Sequence, residues 1–478
     1  MKLSKLKVLS DDELSAIHDA SLKILWEVGV KVESDKALKI TKDAGATVDL
    51  QAKIVKVPEY LINDALDSAP KTENIKFFNR NCEVSLKLGQ GRTHAFSGFN
   101  AIHMLDSKTG TRRLATKEDV ANFAKLADAL DNIDGVGTQA IPQDTLPLSA
   151  DVRAAEAMFL NTEKHLFFCP SRVTTTRTIF DMARTVAGVD NLSEAPLISI
   201  QSSPTSPLHW EAEAIEILIE TSKNGLMCEI LPQPITGATS PVTLAGSLVV
   251  HNAENLSGIL MTQLANRGSP VMYGCAPTVF DMKEATPIIG APEAALLRIA
   301  SVQLAQLYNL PSHSIAPDTD SHCQDEQNAW ERIITTAAPM AAGVDLIVNS
   351  GMFETGLTVS HEQLVIDNEI LGFLHRFIRG IDVSPDLLSI ELIKKVGVAG
   401  HYLKEKETLM HLRREHWMPA ISSRATYGRW TELGAKDIVM KAHEKAEKIL
   451  REYQPKPLDP KIQEDLHEIV KKFETNIT

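Results

Sequence analysis

Apolar residues along the chain fall into two patterns, and the first is helical. Ser10-Asp11-Asp12-Glu13 reads as a capping box, a hydroxyl followed three residues on by a carboxylate. Leu14, Ile17, Leu22, Leu25 and Val28 then recur at the spacing of one helix face, and Gly29 ends the helix. Two further helices are predicted near 34–44 and 58–68. A hairpin is predicted over 94–114, with Asp106 to Gly110 as its turn. Residues 1–115 thus read as a mixed helical and hairpin cap. Beyond them short β-rich runs at 133–139, 165–170, 197–201, 226–231, 270–275, 312–315 and 344–349 alternate with helical segments at 150–163, 174–187, 209–223, 242–265, 292–308, 325–342 and 361–380. Seven such units in one register imply a parallel sheet with right-handed crossovers. Seven with one missed lies closer to a closed barrel than to an open sheet. The fold class is therefore α/β: a TIM (β/α)8 barrel over 116–390, preceded by the mixed α/β cap and followed by a C-terminal helical extension, 391–478. The eighth strand is expected after Ile381.

Composition narrows the function. The 478 residues are 44% apolar and 23% charged, an ordinary globular balance, and the net charge of −13 repels phosphate backbones, so nucleic acid is not an expected partner. The N-terminus lacks the apolar core of a signal peptide and no uninterrupted apolar run reaches membrane-spanning length, so a cytoplasmic protein with no membrane partner is expected. Five scattered cysteines do not form a disulfide framework.

In a barrel the loops after the strands carry the chemistry. Here they are rich in Pro, Gly, Ser and Thr, with few charges apart from Asp318, Asp320 and Glu354, a rim suited to a cationic or neutral substrate. No phosphate-cradling glycine loop and no Gly-x-Ser-x-Gly elbow occurs. Cys169, Cys228, Cys275 and Cys323 fall near strands, which keeps a zinc-dependent methyltransferase or hydrolase as an alternative, although cysteine is also commonly buried. Two local segments are more specific. Ile235-Thr236-Gly237-Ala238-Thr239-Ser240-Pro241-Val242-Thr243-Leu244-Ala245-Gly246 opens a long helix, with Ser240 as its expected cap. Ile347-Val348-Asn349-Ser350-Gly351-Met352-Phe353-Glu354-Thr355-Gly356 places a glutamate beside a phenylalanine at a strand end, which is costly to bury without a cation or metal.

These two segments resemble the trimethylamine:corrinoid methyltransferase family. Asp106-Ser107-Lys108-Thr109-Gly110, Asn252-Ala253-Glu254-Asn255-Leu256 and His361-Glu362-Gln363-Leu364-Val365-Ile366-Asp367 are similar as well, and the resemblance spans nearly the whole chain. It implies a TIM barrel that demethylates a methylated amine and passes the methyl group to cobalt(I) of a separate corrinoid protein. Members acting on trimethylamine carry pyrrolysine near the segment that is here Ala316-Pro317-Asp318-Thr319-Asp320-Ser321, and Asp318 is its closest counterpart. With only standard residues, the chain resembles the branch acting on quaternary amines such as glycine betaine, proline betaine, carnitine or butyrobetaine. The chemistry agrees: a quaternary ammonium releases a neutral tertiary amine and needs no general acid, so desolvation and alignment carry catalysis. No DxHxxG segment for a corrinoid's lower ligand occurs. The chain is therefore expected to bind no cofactor itself, its partners being a cognate corrinoid protein and a small quaternary amine, and to form a homo-oligomer. A betaine-binding barrel without catalysis is the non-enzymatic alternative.

On this reading Asp318 and Glu354 are the candidate catalytic carboxylates. Phe353, Tyr273, Phe99 and Phe280 are candidates to box the ammonium head by cation–π contact. Arg172 and His322 are candidates to clamp a carboxylate, and His313 is either a pocket residue or a core histidine. The competing reading has Asp318 solvated and Asp320 capping the next helix. Arg413-Arg414-Glu415-His416 reads as a solvated helix face or a contact for an acidic partner.

Overall fold

The structure is a computed structural model that describes residues 5–98, 100–106 and 109–477. Eight parallel strands close into a barrel: β1 His94–Ser97, β2 Gly135–Gly137, β3 His165–Phe168, β4 Ile198–Ser202, β5 Met227–Ile230, β6 Val271–Cys275, β7 Ser312–Ile315 and β8 Leu346–Ser350. The outer ring holds α1 Lys117–Ala129, α2 Ala150–Asn161, α3 Val173–Ala187, α4 Ala212–Lys223, α5 Leu244–Ala265, α6 Pro292–Leu307, α7 Glu326–Ala342 and α8 His361–Arg379. This is a TIM barrel.

The eighth strand is not after Ile381. Among the described residues no strand follows Val359, and the barrel is closed by β1, which pairs with both β8 and β2. Sequence reading merges β1 with the hairpin that follows it. That hairpin is His103–Asp106 against Thr111–Leu114, and part of its turn lies outside the described residues.

The N-terminal elements pack outside the ring. The helix Asp11–Glu27 has the expected capping box, and it packs on α5 together with the helix Glu59–Ser68. That explains α5, an apolar helix buried from Ser247 to Gln263 with hardly a solvent face: it is covered on both sides, as a helix hydrophobic all round must be. A second hairpin, Lys76–Phe78 with Val84–Lys87, contributes Phe77 to the cluster inside the barrel that also holds Phe96, Phe167, Met227, Met272 and Leu346. Phe77 stacks edge-on against His165 at 4.7 Å and Phe96 at 5.8 Å, which plugs the N-terminal end of the lumen. The C-terminal helices Ile438–Glu452 and Pro460–Ile477 add outer layers on α8 and α1, and on α3 and α2.

Candidate active site

Side chains alternate across each barrel strand, so one parity faces the lumen and the other the helices. On β5, Met227 and Glu229 face inward while Cys228 joins the helix-side core. On β7, His313 faces inward. Glu229 Oε2 lies 3.1 Å from His313 Nδ1, and both side chains are fully buried. The two strands are separated by β6, and the residue between them is Gly274, in register with His313. A Cβ there would stand 2.1 Å from the Ile230 carbonyl oxygen, so only glycine fits. The Asn255 side chain holds both backbone groups of Gly274, donating to its carbonyl at 3.1 Å and accepting from its N–H at 3.2 Å. The Asn252–Leu256 motif thus fixes the strand beneath the pair.

Burial pushes the Glu229 carboxyl up to about 8, opposed only in part by the nearby Ser199 hydroxyl, and burial lowers His313 to about 3. Both shifts favour the uncharged forms of the pair. Neither oxygen of Glu229 nor either ring nitrogen of His313 has a well-directed hydrogen bond. Gln139 Oε1, Gln201 Oε1 and Ser350 Oγ, at strand ends around the same lumen, are also buried without partners. Gln201 is in register with Glu229, and Gln139 Nε2 donates to the Ser350 carbonyl at 3.0 Å. Buried polar atoms are paired in the great majority of cases, so this cluster marks a place built for a ligand. Asn100, Cys169 and Ser203, beyond the ends of neighbouring strands, are only partly buried. The short sheet of Ile235–Thr236, Thr278–Asp281 and Thr286–Ile288 is built from the loops after β5 and β6, at the same end of the barrel.

The sequence-predicted residues scatter around this centre. Asp318 is neither solvated nor free. It is buried, 2.8 Å from the Arg298 guanidinium, and accepts from Asn349 Nδ2 at 2.8 Å. Asp320 does not cap the next helix, a task done by Asp325, but accepts from the backbone N–H of Ile289 and Gly290. Ser240 likewise is not the cap of α5, whose N-cap is Thr243; its hydroxyl meets Ser247 at 2.8 Å. Tyr273 cannot box a ligand, because it faces the helices and donates to Asn252 Oδ1 at 3.0 Å. Glu354 pairs with Arg112 and accepts from Thr358; burial raises its carboxyl, but these two donors outweigh burial and hold it below the usual range. Phe353 is buried in the turn after β8, and Phe280 is half-buried in the sheet over the mouth. Arg172 and His322 are exposed at the rim, and Phe99 lies outside the described residues. The cysteines do not converge: Cys228 and Cys275 face the helices, Cys169 sits at the upper lumen and Cys323 is exposed. Among the described residues no three metal-ligating side chains come together. Sequence reasoning missed Glu229, although a lone glutamate inside Leu226-Met227-Cys228-Glu229-Ile230-Leu231 was its signal.

The fold is a TIM barrel whose lumen holds a buried acid–imidazole pair and several buried acceptors. The description "Trimethylamine methyltransferase (MTTB)" belongs to a family model that matches residues 1–478, and the chain belongs to that methyltransferase family. Trimethylamine methyltransferase MttB of Desulfitobacterium hafniense (strain DSM 10664 / DCB-2) is 38% identical over 97% of this chain and 93% of its own length. Glycine betaine methyltransferase of Desulfitobacterium hafniense (strain Y51) is 31% identical over 98% of this chain and 97% of its own length. The crystal structure of the Methanosarcina barkeri monomethylamine methyltransferase (MtmB) shares the fold, with a TM-score of 0.50 and 12% identity over 93% of this chain and 88% of that one.

Proposed function

We propose that this methyltransferase demethylates a quaternary amine, a betaine in particular, and delivers the methyl group to a separate corrinoid protein. The observation that carries this reading is the set of unpartnered buried acceptors around Glu229. A quaternary ammonium has no N–H to donate, so it is recognised by field and by weak C–H contacts rather than by directed bonds. A lumen of oxygens with loose geometry suits it. Glu229 is fully buried and acts by field. At roughly 6 Å and an effective dielectric near 20, one carboxylate attracts a cation by about 3 kcal/mol.

In the transfer the methyl carbon leaves nitrogen without the C–N electron pair, which stays behind as the lone pair of a neutral tertiary amine. The partner's reduced corrinoid supplies the electron pair for the new bond to carbon. This chain's residues hold the ammonium, exclude water and aim the methyl group at the mouth. No proton moves in that step, which fits an acid–imidazole pair that is neutral before the substrate arrives and turns anionic only under its charge. Phe280 and Phe353 remain candidates to face the methyl groups, and Arg172 and His322 to meet a substrate carboxylate at the rim. Asp318 and Glu354 support the loops that frame the site.

The test is a screen of quaternary amines and trimethylamine with reduced corrinoid protein, comparing wild type with Glu229→Gln. Turnover of at least one betaine, lost in the variant, is expected. Rapid demethylation of trimethylamine with no betaine turnover would overturn the reading.

A further inference from the structure

The N-terminal cap and the candidate site are joined through the lumen by one line of polar contacts. His165 opens β3 and points inward, edge-on to Phe77 and beside Phe96. Its Nδ1 is 3.0 Å from the carbonyl oxygen of Phe78, in the hairpin that plugs the barrel, and its Nε2 is 3.2 Å from Ser199 Oγ on β4. Ser199 in turn lies beside the Glu229 carboxyl, on the strand whose Gln201 is in register with Glu229. His165, Ser199 and Glu229 are all buried.

Donor and acceptor rules fix the protons along this line. A neutral imidazole has one N–H and one lone pair, and burial, which lowers His165 to about 3, favours the neutral ring. A carbonyl oxygen only accepts, so the N–H sits on Nδ1 and the lone pair on Nε2. Ser199 then meets Nε2 by donating its own proton. Toward Glu229 the hydroxyl is left with lone pairs alone: it can accept from a protonated carboxyl but cannot donate to a carboxylate. A donated hydroxyl proton would lower the Glu229 carboxyl, and that help is what His165 withholds. For Ser199 to turn to Glu229, Nε2 must be left buried without a partner, a state that folded proteins rarely tolerate. Near Glu229 among the described residues stand also His313 on β7 at 3.1 Å, Cys169 beyond the end of β3 and, behind its own strand, Cys228. Burial favours the uncharged form of each, so none of them brings a charge that would ionise Glu229.

We propose that His165 is a positioning residue for Glu229: by taking the Ser199 proton it keeps the carboxyl in its acid form while the lumen is empty, and the Phe78 carbonyl of the cap sets this by fixing the imidazole tautomer. The proposal rests on the reading of Glu229 as the group that meets the ammonium. When the cation enters, Glu229 releases its proton to the medium and the Ser199 hydroxyl swings from Nε2 to the new carboxylate. When the cation leaves, the bare Nε2 draws the hydroxyl back and Glu229 takes up a proton again.

The infrared carbonyl stretch of a buried protonated carboxyl, assigned to Glu229 by its loss in Glu229→Gln, tests this in the substrate-free full chain as pH is raised. His165→Phe keeps a ring between Phe77 and Phe96 but takes nothing from Ser199. It is expected to lower the midpoint of the titration by about one pH unit or more, about tenfold in the ionisation constant. His165→Gln can still donate to Phe78 and accept from Ser199, and is expected to keep the wild-type midpoint. In a Ser199→Ala background His165→Phe is expected to shift nothing further, because its effect runs through the hydroxyl. An unmoved midpoint in His165→Phe, or a shift that survives Ser199→Ala, would overturn the proposal. Should His165→Phe fail to fold, nitrogen NMR of the wild-type protein decides: the His165 proton is expected on Nδ1, and a proton on Nε2 would overturn the proposal. The titration uses no substrate, so an unmoved midpoint sinks the role of His165 without touching the betaine reading, and a failed amine screen sinks that reading without touching the titration.

Discussion

Two buried acid–base pairs stand in the same half of the barrel and are built in opposite ways. Arg332 and Asp367, 2.8 Å apart, are fully buried, and their polar atoms are met. Arg332 donates to Asn328, the Pro317 carbonyl and the Met352 carbonyl, while Asp367 accepts from the Gly351 N–H at 2.6 Å and from Gln363 at 3.0 Å. The pair ties the loop after β7 to the loop after β8. Glu229 and His313 are buried as deeply, 3.1 Å apart, and have almost nothing else. A charge pair with every partner in place is architecture. One left without partners keeps its capacity for something that arrives later. Depth of burial does not tell these two pairs apart, but their hydrogen bonding does.

The largest effect that would sharpen this contrast is on stability. Asp367→Asn leaves the Arg332 guanidinium buried without its counter-charge, and a loss of about 3–5 kcal/mol is expected in urea unfolding. A loss below about 1 kcal/mol would mean the clamp is not structural. Glu229→Gln should do the reverse, lowering kcat/KM about 10²–10³-fold through some 3–4 kcal/mol of lost electrostatic stabilisation, while the unfolding midpoint holds or rises. An active Glu229→Gln enzyme would place the site elsewhere.

A subtler effect is on pH. The folded-state carboxyl of Glu229 is raised to about 8 from the usual 4.5, so the stability it carries is complete below pH 4.5 and is lost as pH climbs through 8. His313, lowered to about 3, acts with the opposite sign, and its contribution is finished by the usual imidazole value of 6.5. Between pH 6.5 and 8, wild-type stability should therefore fall with pH more steeply than that of Glu229→Gln. In the same window a quaternary ammonium binds with release of a proton, measurable as a buffer-dependent calorimetric enthalpy. Buffer-independent heats would falsify the link between Glu229 and the cation. The smallest effect belongs to Glu354→Gln. Its partner Arg112 is 46% exposed, and a pair so open to solvent contributes about 1 kcal/mol or less to stability, with turnover changed only a few-fold. A hundredfold loss of turnover there would bring Glu354 back as a residue that touches substrate.

The repeat of strand and helix was legible because seven of its strands are short apolar runs flanked by helical periodicity. β1 was not, since its four residues run through Gly98 towards a genuine hairpin, and nothing local says that they pair with β8, some 250 residues away. The site was harder. Which parity of a strand faces the lumen depends on barrel closure, so Tyr273 and Met272 exchange roles until the register is known. Asp318 read as a candidate catalytic carboxylate or, alternatively, a solvated loop acid, because its partner Arg298 lies on α6, twenty residues earlier. The motifs that carry the family resemblance proved largely to be scaffolding. Asn255 holds Gly274, Asn349 holds Asp318, and Asp367 holds Arg332.

The acceptor-rich lumen bears on how the proposed reaction ends. Once the methyl group has gone, the tertiary amine left behind takes up a proton from water and acquires the N–H that its precursor lacked. Gln139 and Gln201, whose buried side-chain oxygens could offer the quaternary ammonium only a field, then have a donor to satisfy. The spent amine is held at least as firmly as the fresh one, and competitive inhibition by the demethylated amine in initial-rate measurements is the expected sign of it. On the proposed function, a pocket that tolerates a cation without hydrogen bonds is expected to release the demethylated amine slowly.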